Sequence, residues 1–350
     1  MPLRTLSSLK SWQLKQICFL MGGPVTGTKT ALEANIRRCI QKPLLPKNGG
    51  RILSIDMGIR NLAYTVLDVS NEGSFLTQGL KIQKWHKLDV LDRTQGLLPS
   101  EVLSDLTKQT TPKSEVIGKL VANAAFTPSC LSRTAYDLAL ELLAHRPNTI
   151  LVERQRFRSA GGANIQEWTV RVNMLEGMLW ACLETLKQSQ KHNMPAFPQM
   201  YEVSPKRVAP FWEHVDQTLP HSDLLSLGKT TGPCLSSQPT KIDKKRRMQY
   251  LRDMLNGTEA DKITLDFAND EVRVVADSMT HMRKTSMDQS SRRKRLKGME
   301  GIASPEKLDD LTDCMLQGIT WVRWEENRRL IANMVEAFES LQNMKKADIG

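Results

Sequence analysis

Arg51-Ile52-Leu53-Ser54-Ile55-Asp56-Met57-Gly58-Ile59-Arg60-Asn61-Leu62-Ala63-Tyr64-Thr65-Val66-Leu67 is the stretch on which the fold is read. Its ends are apolar runs rich in branched and aromatic residues, which suit strands. Its middle, Asp56 to Asn61, contains the Asp, Gly and Asn that mark turns. The pattern predicts two adjoining strands and puts the Asp56 carboxylate at the lip of a sheet, with Gly58 leaving backbone room beside it. The same Asp has a structural reading as the starter of an Asx turn.

Downstream, a third strand is expected around Leu80 to Trp85. Leu131, Ala135, Leu138 and Leu142 recur at helical spacing, and Arg146-Pro147-Asn148 ends that helix. The run Thr149-Ile150-Leu151-Val152 then reads as a buried strand that leads straight into Glu153. A long helix with Val172, Leu175, Leu179, Cys182 and Leu186 on one face follows, then a strand near Met200 to Val203, and helices to the end. This order predicts an α/β fold, a mixed sheet with helices on its faces. A single Glu at a strand end is usually a solvent-exposed residue. Two strand-end acids in one sheet point further, because ligands of open α/β sheets collect at strand ends.

A third acidic group, Asp309-Asp310-Leu311-Thr312-Asp313, follows Ser304-Pro305, which reads as a cap and first helical position. Leu308, Leu311, Met315, Ile319 and Val322 form the apolar stripe of that helix. Asp310 and Asp313 are three apart, Asp309 and Asp313 four apart, and either pair shares a face. Acids in a first helical turn also stabilise the helix through its dipole, which is their plain structural role. Carboxylates gathered in one place repel and need a cation. An all-oxygen donor set suits Mg²⁺ or Mn²⁺ rather than zinc.

The N-terminal part has its own pattern. Leu9, Trp12, Leu14, Ile17, Cys18 and Leu20 predict one short helix; Gly22-Gly23-Pro24 breaks it; Thr28 caps a second whose buried face is Leu32, Ile36 and Ile40. Two short helices around Thr26-Gly27-Thr28-Lys29 resemble the SAP-type DNA-binding module, with Lys29 as a DNA contact. A helical hairpin used only for packing or dimerisation is the other reading. The expected organisation is a SAP-like unit over 1–42, a linker over 43–50 that leaves it few contacts with the main core, a principal domain over 51–335, and a tail over 336–350. The polar stretch 215–300 reads partly as insertion loops. Its basic runs Lys244-Lys245-Arg246-Arg247 and Arg292-Arg293-Lys294-Arg295 suit either a solvated face or DNA.

Bulk properties fit these readings. The 350 residues carry a net charge of +11, with a pI near 9.4, which favours a polyanionic partner. The six cysteines form no C-x-x-C pair, so neither a zinc knuckle nor a disulfide framework is suggested, and a reducing compartment is expected. No apolar run approaches the roughly 20 residues of a membrane span. Residues 1–32 lack Asp and Glu, as organelle-targeting segments do.

Four motifs in order resemble one family. They are Ser54-Ile55-Asp56-Met57-Gly58-Ile59-Arg60-Asn61-Leu62-Ala63; Val152-Glu153-Arg154-Gln155-Arg156-Phe157-Arg158-Ser159; Val203-Ser204-Pro205-Lys206-Arg207-Val208; and Asp309-Asp310-Leu311-Thr312-Asp313 with Leu316-Gln317. Together they look like the fungal mitochondrial Holliday-junction resolvases, relatives of bacterial RuvC. The resemblance implies an RNase H-like sheet, a homodimer, and paired cuts in four-way DNA junctions in mitochondria. It also implies two Mg²⁺, replaceable by Mn²⁺, on Asp56, Glu153, Asp310 and Asp313, with Asp309 competing. It assigns DNA contacts to Arg60, Asn61, Arg154, Gln155, Arg156, Lys206 and Arg207, and calls for neither a membrane nor a nucleotide cofactor. Rival readings are a non-catalytic SAP-type DNA-binding protein and an actin-like ATPase, whose first Asp-x-Gly turn is similar.

Overall fold

In the computed structural model, the described residues are 6–70, 79–90, 126–155, 167–189, 196–212, 244–257, 263–281 and 308–347. After a short 3-10 turn come helices α1 (Ser11–Leu20) and α2 (Lys29–Gln41), then strands β1 (Gly50–Asp56), β2 (Leu62–Val69) and β3 (Leu80–Leu88). Helix α3 (Pro128–Ala144), strand β4 (Thr149–Glu153), helix α4 (Glu167–Ser189), strand β5 (Gln199–Val203) and helix α5 (Pro205–Phe211) follow. Helix α6 (Lys244–Leu255), strand β6 (Leu265–Phe267), helix α7 (Asp270–His281) and the long helix α8 (Leu308–Ala347) complete the chain.

The six strands lie in the order β5-β4-β1-β2-β3-β6. β1, β2 and β3 run as an antiparallel meander, and β4 and β5 are parallel to β1 on its other side. That arrangement of the first five strands is the RNase H-like sheet that the family resemblance implies; β6 adds a short parallel edge beside β3. Alternation along the central strands sorts two cores. Leu53, Ile55, Tyr64 and Val66 face α3 and α4, whereas Ile52, Ala63 and Leu67 face α8 and its neighbours. α8 approaches the second face closely. A Cβ on Gly318 would stand 2.8 Å from Leu67 Cδ1 and 3.4 Å from Ser54 Cβ, so the helix lies close on the sheet and any larger residue there must displace the Leu67 side chain.

Three expectations of domain organisation change. First, residues 1–42 do not stand apart. Leu14, Ile17, Leu32 and Ile36 share one core with Ile319, Val322 and Trp324 of α8. The same helix satisfies the carbonyls that end α1: Asn327 Nδ2 donates to Leu20 O at 2.8 Å, and Arg328 Nε to Met21 O at 2.9 Å. The supposed linker is tied likewise, since Trp321 Nε1 donates to Leu44 O and Leu44 N donates to Glu325 Oε2. Unmet carbonyls at a helix end need donors, and α8 supplies them.

Second, the polar stretch contributes structure. α6 buries Leu251 and Met254, and α7 buries Val272, Ala276 and Met279, in the core shared with α8. Third, 336–347 is the end of α8 rather than a separate tail. Ser304-Pro305, Arg156 and the run 292–295 lie outside the described residues. Among the described residues no helix is long and apolar enough to cross a membrane.

Candidate active site

β1 and β4 run parallel with Ile55 opposite Val152, so the next residue on each, Asp56 and Glu153, stand side by side where the strands end. The two carboxyl groups lie within hydrogen-bonding reach of each other. Gln155 ties the two strand ends together, its side chain donating to Met57 O at 3.1 Å and its backbone N–H to Glu176 Oε2 at 3.2 Å. After Asp56 the chain turns tightly: a Cβ on Gly58 would lie 2.9 Å from Asn61 O.

α8 brings the remaining acids. Three contacts set its rotation over the sheet: Gln317 Nε2 donates to Ser54 Oγ at 3.0 Å and to Ile55 O at 3.3 Å, and Trp85 Nε1 donates to Leu311 O at 3.0 Å. The first turn of the helix then reaches the end of β1. Burial raises the Asp56 pKa well above the usual carboxylate range, and Glu153, Asp313 and Asp310 raise it further, in that order. Asp309 is not among these principal neighbours. Asp313 is itself pushed up to about 6, because burial outweighs the opposing effect of Arg247.

Two cations meet the helix-borne acids. Lys87 Nζ from β3 lies 2.6 Å from Asp310 Oδ2, and Arg247 from α6 forms a close ion pair with Asp313 Oδ1. Among the described residues, no three acidic, histidine or cysteine side chains already stand at ligand spacing around one point. The acids therefore form an open nest in which burial and neighbouring carboxylates act on Asp56, while Asp310 and Asp313 each pair with a protein cation. Glu153, Pro205, Val208, Arg247, Asp313 and Gln317 line a small cleft beside it.

The basic residues expected to contact DNA divide. Arg60 and Asn61 are exposed in the turn after Asp56, and Arg154 is 62% exposed at the end of β4, 3.7 Å from Glu202. Lys206 is exposed on α5, next to the cleft-lining Pro205. Arg207 is engaged with the N-terminal helices, donating to Gly22 O at 3.1 Å, and Lys29 donates to Ser7 O at 2.6 Å. Ser204 precedes α5 without a side-chain cap hydrogen bond.

Sequence reasoning passed over Lys87 and left Arg247 as one member of a basic run. Lys87 sits in a strand whose partners are fixed by register. Arg247 reaches Asp313 only because α6 packs on α8.

Comparisons with known proteins agree with one another. Residues 52–331 match the family model described as mitochondrial resolvase Ydc2 / RNA splicing MRS1. The chain is 25% identical over 335 residues to cruciform cutting endonuclease 1, mitochondrial, of Schizosaccharomyces pombe, covering 95% of this chain and 99% of the relative. It is 21% identical over 347 residues to the protein of the same name from Saccharomyces cerevisiae, covering 94% and 85%. The crystal structure of the yeast mitochondrial Holliday junction resolvase Ydc2 superposes with a TM-score of 0.55 at 24% identity. That match covers 95% of this chain and all of the other, and shows a common fold.

Proposed function

We propose, on the premise that the chain belongs to the mitochondrial resolvase Ydc2 / RNA splicing MRS1 family, that it is a metal-dependent endonuclease resolving four-way DNA junctions. The observation that carries this reading is the convergence of Asp56, Glu153, Asp310 and Asp313, from three separate elements, on one end of the sheet. Acids that raise one another's pKa in a buried site call for a cation, and their oxygen-only chemistry fits Mg²⁺ or Mn²⁺. Those four side chains would hold two such ions, with Asp309 just behind. Bound there, the ions would supply an activated water and charge for the leaving oxygen.

The chain's own groups do the rest. Gln155 and Gln317 hold the strand ends and α8 in register, so that the acids keep their mutual positions. Arg60, Asn61, Arg154 and Lys206 would meet phosphates around the nest, while the net charge of +11 attracts the junction from a distance. Residues 1–42 would add a SAP-like DNA contact, even though they pack on α8. A two-fold homodimer would place one nest on each of two symmetry-related strands and so make paired cuts. Both relatives are mitochondrial by name, which supports mitochondria as the site of action.

A second reading has one observation in its favour. Lys87 and Arg247 already neutralise part of the nest, as they would in a non-catalytic nucleic-acid-binding member of the family. Family membership displaces the actin-like alternative. The deciding experiment offers the protein a synthetic four-way junction and a linear duplex of the same sequence, with Mg²⁺ or with chelator. Metal-dependent cutting of the junction alone is expected; binding without cutting in Mg²⁺ and in Mn²⁺ would leave the second reading standing. Sedimentation at working concentration checks the dimer.

A further inference from the structure

Arg247 is more than a surface charge that falls near an acid. Its helix is anchored by Leu251 and Met254, which are 0% and 2% exposed, and by Arg252 Nε, which donates to Met279 O at 2.8 Å. The side chains of Arg247 and Asp313 are each 22% exposed, and both line the cleft that Glu153 and Gln317 also line. The polar stretch between β5 and α8 thus delivers a permanently charged guanidinium to the wall of the nest. Lys87 does the same for Asp310 from the sheet. Hydrolysis by ions held on four carboxylates assigns Arg247 no task, yet it takes an oxygen that such an ion would need.

We propose that Arg247 is a positioning residue that acts as the nest's internal counter-cation. It pairs with Asp313 while no divalent ion is bound and gives that carboxylate up when one enters, so it sets how tightly the ion is held. This rests on the four-carboxylate reading above. Two consequences follow from charge alone. A guanidinium at the rim opposes the arrival of a dication, and its loss leaves the acids repelling one another without relief. Released from Asp313, Arg247 stands at the cleft, where an incoming phosphate would give it a new partner.

The test measures Mn²⁺ binding to the full chain without DNA, by calorimetry or by the resonance signal of free Mn²⁺. Wild type is compared with Arg247→Met, Arg247→Lys and Asp313→Asn, all checked for native circular dichroism. Arg247→Met should bind Mn²⁺ on the order of tenfold more tightly, because one repelling charge is gone, and Arg247→Lys should restore affinity to near wild type. Melting without metal should fall in Arg247→Met and recover more on adding Mn²⁺ than it does in wild type. A merely structural arginine would lower melting equally with and without metal. Should Arg247→Met fail to fold, Arg247→Gln replaces it with the same expectation. Mn²⁺ binding that Asp313→Asn weakens but neutral Arg247 variants leave unchanged, or weaken, would overturn this proposal alone. Wild-type protein that binds no Mn²⁺ would overturn the four-carboxylate reading, and this proposal with it.

Discussion

The two halves of the acid nest are built by different means. Asp56 and Glu153 stand together because parallel neighbours in a sheet end together; the backbone ladder fixes them before any side chain is considered. Asp310 and Asp313 arrive on a helix that must be rotated and pressed onto the sheet, and each then meets a protein cation. The strand half is self-repelling, whereas the helix half is partly neutralised by Lys87 and Arg247. A site so divided carries uncompensated charge on one wall and paired charge on the other.

If that contrast is sound, the strand half should respond most severely to loss of charge. Asp56→Asn and Glu153→Gln should each lower single-turnover cleavage of a four-way junction by at least three orders of magnitude, roughly the loss of metal-held charge at the reacting phosphate. Junction binding should be kept or tightened, because negative charge facing phosphates has been removed. A folded variant that loses binding along with cutting would break the assignment.

The helix half should be graded. Asp313→Asn and Asp310→Asn are expected to slow cleavage by two orders of magnitude or more, and Asp309→Asn by less than about tenfold, as for a residue that only supports the ligands. Single-turnover rates in saturating Mg²⁺ separate the three. Sequence spacing alone left Asp309 and Asp310 as competitors, since either shares a face with Asp313. Asp310 gains its advantage from contacts that no periodicity reveals, the Gln317 and Trp85 hydrogen bonds that set the helix phase. An Asp309→Asn variant more damaging than Asp310→Asn would show that the helix is turned the other way.

The same contrast explains how much was legible in the sequence. The strand half was readable because an apolar run ending in an acid encodes both a strand and its lip, as at Ile52 to Asp56 and Thr149 to Glu153. The mixed sheet with helices on its faces then followed from elements with clear period. The helix half depends on long-range packing. Gly318 gives no sign in the sequence that it must face Leu67, and Asn327 and Arg328 give none that they hold the carbonyls closing α1. The stretch around α6 and α7 reads as polar because its short apolar groups lie among many charges, so neither the edge strand β6 nor the pairing of Arg247 with Asp313 is visible in it.

Seating of α8 offers a smaller, structural probe. Gly318→Val would place a branched side chain where a Cβ alone already comes within 2.8 Å of Leu67, and should cost about 1–3 kcal/mol of stability as overpacking does. Cleavage should fall in the folded fraction, because Asp310 and Asp313 shift while Asp56 and Glu153 stay in register. Chemical denaturation paired with rates at saturating Mg²⁺ would separate the two effects. An unchanged rate in a destabilised protein would mean that the helix half tolerates displacement.

The smallest expected effect is the dependence of metal-free stability on pH. Asp313 has its pKa raised from 3.8 to about 6, and that of Asp56 is raised by burial and by its acidic neighbours. A carboxyl group with a raised folded-state pKa binds its proton more firmly in the native protein than in the unfolded chain. Stability therefore declines as pH rises from near 4 through 6, where the native state must surrender protons that the unfolded state has already lost. For Asp313 the penalty is complete above that window. Without divalent ions, the melting temperature should fall by a few degrees between pH 4.5 and pH 7 through these groups, set against whatever the rest of the protein contributes. The contribution is isolated by difference, since Asp313→Asn should flatten the decline between pH 4 and 6. Mg²⁺ should stabilise the wild type more at pH 7 than at pH 5, because the ion competes with protons for the same oxygens. A wild type and an Asp313→Asn variant with parallel profiles over that range would mean that the helix-borne acid titrates normally, and that Arg247 has already relieved the strain which the strand half still carries.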